Sequence, residues 1–162
     1  MKVEVVRSPR RRKTIQAERR GRKVVVLLPV DLTRSEERRW VRTMVERLTQ
    51  RERLDRLNAS PELERRARDL NERYFGGRLR WRSIRYVKEA RGQYGSCTPE
   101  DRTIRVSERV AEFPSWVRTY VVMHELAHLR IPEHSPHFWK VVRRYPMAER
   151  ARGYLIAKGL DA

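Results

Sequence analysis

The first stretch of the chain has the hydrophobic pattern of extended structure. KVEVV (2–6) and KVVVLL (23–28) are β-branched runs, and TIQAERRGRKVVV (14–26) alternates on either side of Arg20-Gly21. Residues 3–29 therefore predict two or three strands, with a turn at Arg20-Gly21 and a stop at Pro29. After Asp31 the period becomes helical. Trp40, Met44 and Leu48 share one stripe with Val41 and Val45 beside it, and Thr33 with Glu36 has the spacing of a capping box. Ser60-Pro61 reads as a cap followed by proline in a first helical turn, with Leu63, Ala67, Leu70 and Tyr74 facing inward and Gly76-Gly77 ending the helix. RWRSIRYVKEA (80–90) and TIRVS (103–107) predict further strands, and GQYGSC (92–97) between them suits a strand with a bulge. PSWVRTYVVMHELAHLRI (114–131) is apolar on most sides, the pattern of a buried helix, and Pro132 prevents it from continuing. Ser135-Pro136 starts another helix through Phe138, Trp139 and Val142, and MAERARGYLIAKG (147–159) suggests a last short one. Strands, helices, a second strand group and more helices make an α+β fold, with no internal repeat.

At 162 residues the chain is long enough for one domain with a proper core, expected to span 1–162 with a basic, β-rich segment at 1–30. A hydrophobic fraction of 39% beside a charged fraction of 37% describes a folded domain with a heavily charged surface, not a disordered chain. No apolar run approaches the roughly 18 residues of a membrane helix, and MKVEVVRSPRRRK lacks the apolar centre of a signal peptide. The single cysteine, Cys97, allows no internal disulfide. The cytoplasm is the expected compartment, with no membrane partner. The net charge of +18 attracts polyanions, and RSPRRRK (7–13) and RRGRK (19–23) are its dense clusters. A nucleic acid is thus a candidate partner through the basic surface, although such runs are more often solvated surface. The pattern indicates no oligomeric state.

All four histidines lie in VVMHELAHLRIPEHSPHFW (121–139). His124 and His128 are four apart on a predicted helix, so their rings project from one face and can approach one ion at the about 2.0–2.1 Å of a zinc–nitrogen bond. Glu125 lies next to His124, where it can reach a water on that ion; H-E-x-x-H on a helix is a metal pair plus a general base. A third ligand has to come from beyond Pro132. His134 is the best placed, outside both helices, followed by His137 in the next helical turn and then Glu133. The bland alternative, two helical histidines satisfied by polar neighbours, leaves two histidines and a glutamate in an apolar helix at considerable cost, which a bound cation removes. Cys97 has no second cysteine to pair with at a metal and reads as a small buried residue.

HELAHLRIPEHSPHFW (124–139) also resembles the YgjP-like metallopeptidase family, whose signature is H-E-L-x-H, five residues, then H-S-x-x-F-W. The match falls on His124, Glu125, His128 and His134, then Ser135, Phe138 and Trp139, and YGSC (94–97) resembles the family's W-G-S-C segment with Tyr94 in place of tryptophan. The resemblance is close over 94–145. It implies a zincin-like α+β domain related to SprT-like and minigluzincin proteins, with an N-terminal β-hairpin region, helices, a short mixed sheet, an active-site helix carrying HExxH, and C-terminal helices. The metal-site core would span 85–155. It further implies Zn2+ held by His124, His128 and His134, Glu125 as the base, and a peptide or protein substrate. Two other activities fit the same resemblance: a metal-dependent nucleotide pyrophosphatase, and a nucleic-acid-associated, SprT-like protease tethered by the basic N-terminus. A peptide would align along an edge strand, for which Tyr94–Cys97 and Thr103–Val106 are the candidates. Tyr94 either donates to a developing oxyanion or packs in the core.

Overall fold

The structure, a computed structural model, describes residues 1–88 and 91–160. The chain divides into two compact units, Met1–Asp55 and Arg56–Ala162. In the first, strands β1 (Lys2–Ser8), β2 (Gln16–Arg20) and β3 (Lys23–Pro29) form a sheet in the order β1-β3-β2. β2 and β3 close as an antiparallel hairpin over Gly21, whose φ of +59° is a conformation that glycine adopts without a Cβ penalty. β1 lies parallel on the other side of β3, Lys2 opposite Lys23 through Ser8 opposite Pro29. Val24, Val26 and Leu28 of this central strand are fully buried, covered by Trp40, Val41, Met44, Val45 and Leu48 of helix α1 (Arg34–Ala59).

The capping box at the start of α1 is formed. The Thr33 N–H donates to the Glu36 carboxylate at 2.9 Å, and the Glu36 N–H donates to the Thr33 hydroxyl at 3.3 Å. Two forked ion pairs tie helix to sheet: Arg7 with Glu37 at 2.8 and 2.9 Å, and Arg19 with Glu52 at 2.9 and 2.6 Å.

The second unit carries helix α2 (Glu62–Phe75), which ends at Gly76 in the left-handed region. Leu63, Ala67 and Leu70 are buried as expected, but Phe75 is buried in place of Tyr74. The chain reverses at Gly76-Gly77, and buried Asn71 holds the returning Leu79 by both its N–H (3.0 Å) and its carbonyl (3.1 Å). Tyr74 instead lies under the Arg144 guanidinium.

Strands β4 (Ser83–Val87), β5 (Gly95–Thr98) and β6 (Thr103–Ser107) form a second mixed sheet in the order β4-β6-β5. Glu89 and Ala90, the end of the predicted RWRSIRYVKEA strand, lie outside the described residues. β6 is central, parallel to β4 and antiparallel to β5, with Ile104 and Val106 fully buried. Both of its edges are occupied, so Thr103–Val106 cannot accept a peptide strand, and among the described residues β5 is the edge strand of the sheet on the side opposite β4. Gln93 forms an isolated bridge and Tyr94 a bend before the ladder of β5 begins. The register runs unbroken from Gly95 opposite Val106 to Thr98 opposite Thr103, after a bend at Tyr94, whose carbonyl accepts the Ser107 N–H at 2.9 Å.

Ser107 opens a short 3₁₀ turn (Glu108–Glu112), and helix α3 (Ser115–His128) follows Pro114. α3 buries nine of its residues, among them Tyr120, His124, Glu125 and Leu126. Helix α4 (Pro136–Val142) begins as predicted, with the Ser135 hydroxyl accepting the Phe138 N–H at 3.2 Å, and α5 (Ala148–Ala157) buries Ala151 and Leu155. The architecture is α+β with two small mixed sheets. No helix among the described residues is long and apolar enough to cross a membrane.

Candidate metal centre

His124 projects from the last third of α3 at 1% exposure, and His128 is the last residue of that helix, half-buried. Past Pro132 the chain folds back and brings exposed His134 to the same place, immediately before the cap of α4. The three Nε2 atoms form a near-equilateral triangle with edges of 3.1, 3.1 and 3.0 Å. Burial therefore falls from His124 to His134, and the cluster opens to solvent on the His134 side. His137 and Glu133, the other candidates for a third ligand, are exposed and stand outside the cluster.

Each ring is held from outside the triangle. His128 Nδ1 lies 3.1 Å from the carbonyl of Ile131, which can only accept, so Nδ1 carries the proton and Nε2 presents a lone pair. His124 Nδ1 lies 3.1 Å from the hydroxyl of Tyr94, itself 2% exposed. Phe138 stacks on His128 with ring centres 4.4 Å apart, and Trp139 lies parallel to His134 at 5.5 Å.

Burial, then His128 and His134, and lastly Arg152 push the His124 pKa down to about 2, and burial also lowers that of His128. These rings are thus neutral ligands at ordinary pH. Three nitrogens sharing one tetrahedral zinc at about 2.0–2.1 Å lie about 3.3 Å apart, within a few tenths of an ångström of the spacing found. Convergent lone pairs with no proton between them repel one another unless a cation lies among them. The donor set fits zinc.

Glu125, next to His124 on α3, lies against Gly95 of β5. It is 2% exposed, its Oε2 has no hydrogen-bond partner among the described residues, and burial pushes its pKa up to about 8. Space for this carboxylate comes from Gly95 on β5: a Cβ at that position would lie 2.5 Å from Glu125 Oε1. Cys97, two residues along β5, has its thiol pushed up to about 12 by burial and then by the charges of Glu125 and Glu100, which leaves it inert as a nucleophile.

Two features of the site go beyond the sequence reading. A glycine inside a strand signals close approach by another group as well as a bulge, and at Gly95 that group is Glu125. The aromatic support of His128 and His134 was visible only as motif letters; the i+4 step from His134 to Phe138 was its one local sign.

Two histidines one turn apart on a buried helix, a glutamate beside the first and a third histidine past the helix end have the HExxH arrangement of metal-dependent hydrolases, and the three rings could hold a metal ion. The chain belongs to the YgjP-like family of metallopeptidase domains, which matches it over residues 29–157. Among solved structures it is similar to the metallopeptidase zymogen abylysin of Pyrococcus abyssi, with 21% identity, a TM-score of 0.52, and coverage of 59% of this chain and 93% of that one. It is also similar to the metallopeptidase zymogen jannalysin of Methanocaldococcus jannaschii, with 19% identity, a TM-score of 0.50, and coverage of 59% of this chain and 95% of that one. At these identities the likeness is one of fold. No match was found among curated protein sequences.

Proposed function

We propose that this metallopeptidase domain is a zinc enzyme in which His124, His128 and His134 hold the ion and Glu125 is the general base that activates water against a peptide bond. The observation that carries the reading is the triangle of Nε2 atoms, 3.0–3.1 Å on an edge, next in sequence to a buried carboxylate with one oxygen left without a partner among the described residues. Zinc at that position supplies an electrophile that acidifies water and polarises a carbonyl oxygen.

The chain's own residues do the rest. Burial holds Glu125 toward its neutral form, a bound divalent cation would draw it back toward its charged form, and its Oε2, without a hydrogen-bond partner among the described residues, would accept a proton from water and pass it to the departing amine. Gly95 leaves the room that this carboxylate needs. Tyr94 orients His124 through Nδ1, a positioning role that its hydrogen bond supports better than direct contact with an oxyanion. The place of β5 as an edge strand among the described residues supports an extended peptide added as a further strand, recognised through its backbone. The family match crosses both compact units, which supports reading 1–162 as one metallopeptidase domain with its metal-site core at 85–155.

Metal content of the purified protein, with hydrolysis of peptides and of nucleoside triphosphates by the parent and by Glu125→Gln, tests the proposal. The parent is expected to carry zinc and cleave peptides. Glu125→Gln should retain the metal and lose about 10²–10⁴-fold in rate. Equal rates in the two proteins would remove Glu125 from its role, and triphosphate hydrolysis without peptide cleavage would favour the pyrophosphatase reading.

A further inference from the structure

Beside His134 lies a pocket of 220 Å³ whose walls include Tyr94, Trp139, Arg152 and Ile156, room for one side chain rather than a single water of about 30 Å³. We propose that this pocket is a carboxylate-binding subsite, in which Arg152 anchors either an acidic side chain of the peptide or its free C-terminal carboxylate. The inference rests on the peptidase reading and adds to it a class of substrate.

Three observations converge on Arg152. Its guanidinium lies over the ring of Trp139, 4.8 Å from the ring centre, so one planar face is occupied while the edge that carries the N–H donors stays available for a forked contact with a carboxylate. Glu149, an acid one turn earlier on α5, is engaged elsewhere, accepting from Arg143 at 2.7 Å. No acidic residue lies among the described residues that line the pocket.

Arg152 lines the pocket together with His134, and a divalent ion held by the three histidines would add positive charge beside it. A cleft with one sign of charge and low-dielectric walls concentrates the opposite charge. Apolar groups complete the recognition. Leu155 and Leu160 are buried at the floor and Ile156 is 58% exposed at the rim, surfaces that suit the methylene groups of a glutamate or the side chain of a terminal residue.

The test uses zinc-loaded protein carrying Glu125→Gln, so that peptides bind without turnover. Three labelled hexapeptides are compared by fluorescence anisotropy: one with an internal glutamate and an amidated end, one with glutamine there and an amidated end, and one with glutamine and a free carboxylate end. One of the two carboxylate peptides should bind about tenfold or more tightly than the neutral one, and which of them does so identifies the source. Adding Arg152→Met should erase the gain, while Arg152→Lys should keep part of it. Arg152 is exposed, so neither change disturbs the core. The proposal is overturned if no peptide shows a carboxylate-dependent gain, or if the gain survives Arg152→Met. Failure of the peptidase reading would look different: the parent would cleave none of the three, whatever their order of affinity.

Discussion

Helices α1 and α3 solve opposite problems. α1 runs for 26 residues and fully buries none of them, laying a half-covered stripe on its own sheet while Arg34, Arg38 and Arg42 face water. α3 runs for 14 residues and buries nine, with His124 and Glu125 among them. On α1 a charge is solvated and its identity matters little, since exposed ion pairs contribute about 0–1 kcal/mol. On α3 a buried polar group left without a partner, as Glu125 Oε2 is among the described residues, costs on the order of several kcal/mol. The same residue types are therefore surface on one helix and chemistry on the other. Substitutions around α3 should disturb metal and reaction, and substitutions around α1 should disturb stability alone.

The largest effect is expected at Phe138, which is 0% exposed and stacks on His128 at 4.4 Å. Phe138→Ala should cost about 3–5 kcal/mol in denaturant unfolding and, by releasing the ring of His128, weaken zinc binding about 10–100-fold in a chelator competition. Unchanged zinc affinity in a folded variant would show that the histidines hold their positions without the aromatic support.

Next comes the pH dependence of the metal-free protein, where the two buried groups act with opposite sign. His124 is held down to about 2 against an ordinary 6.5, so below pH 6.5 the unfolded chain takes a proton that the native ring refuses, and stability falls as pH falls. Glu125 is held up to about 8 against 4.5, so above pH 4.5 the unfolded chain releases a proton that the native carboxyl keeps, and stability falls as pH rises toward 8. Thermal midpoints with chelator present should peak between these limits. Glu125→Gln should flatten the alkaline side and leave the acid side in place; an alkaline decline that persists would assign it to another group.

Local chemistry made much of this legible beforehand. The capping box at Thr33, the hairpin turn at Gly21, the helix stop at Gly76 and the cap at Ser135 each depend on a few neighbouring residues, and each appears where the pattern put it. The pair His124 and His128 is likewise a matter of helical spacing, and the chain break at Pro132 made His134 the first choice to complete the triangle. What stayed hidden is nonlocal. That β1 pairs in parallel with β3, and that β6 rather than β5 takes the centre of its sheet, depends on strand order, which runs of Val and Ile do not encode. The displacement of Tyr74 by Phe75 follows from where the chain returns after Gly76, and the meaning of Gly95 from a carboxylate thirty positions downstream.

Gly95 sharpens the contrast when set beside Gly153. A Cβ at Gly95 would lie 2.5 Å from Glu125 Oε1, whereas one at Gly153 on α5 meets nothing within 4 Å. Gly95→Ala should cost about 1–3 kcal/mol through overpacking and displace the carboxylate, so peptide hydrolysis should fall by at least about tenfold while bound zinc stays the same. Gly153→Ala should instead raise stability by about 0.5–1 kcal/mol, the usual gain from removing glycine inside a helix, with hydrolysis unchanged. Full activity in Gly95→Ala would mean that Glu125 has another place to stand.

The smallest effect belongs to α1. Thr33→Ala removes the hydroxyl that accepts the Glu36 N–H at 3.3 Å and donates to the Glu36 carboxylate at 2.8 Å, while the Thr33 N–H at 2.9 Å from that carboxylate remains. Half of the reciprocal box survives and water reaches the orphaned N–H, so the loss should lie near the middle of the about 0.5–2 kcal/mol range for such caps. Thr33→Ser keeps the hydroxyl and should recover most of it. Zinc affinity and peptide hydrolysis should match the parent in both variants, because nothing on α1 has to neutralise a buried charge. If Thr33→Ala lowered zinc affinity as well as stability, α1 would be energetically coupled to the metal centre, and the division of labour between a solvated helix and a chemically committed one would no longer hold.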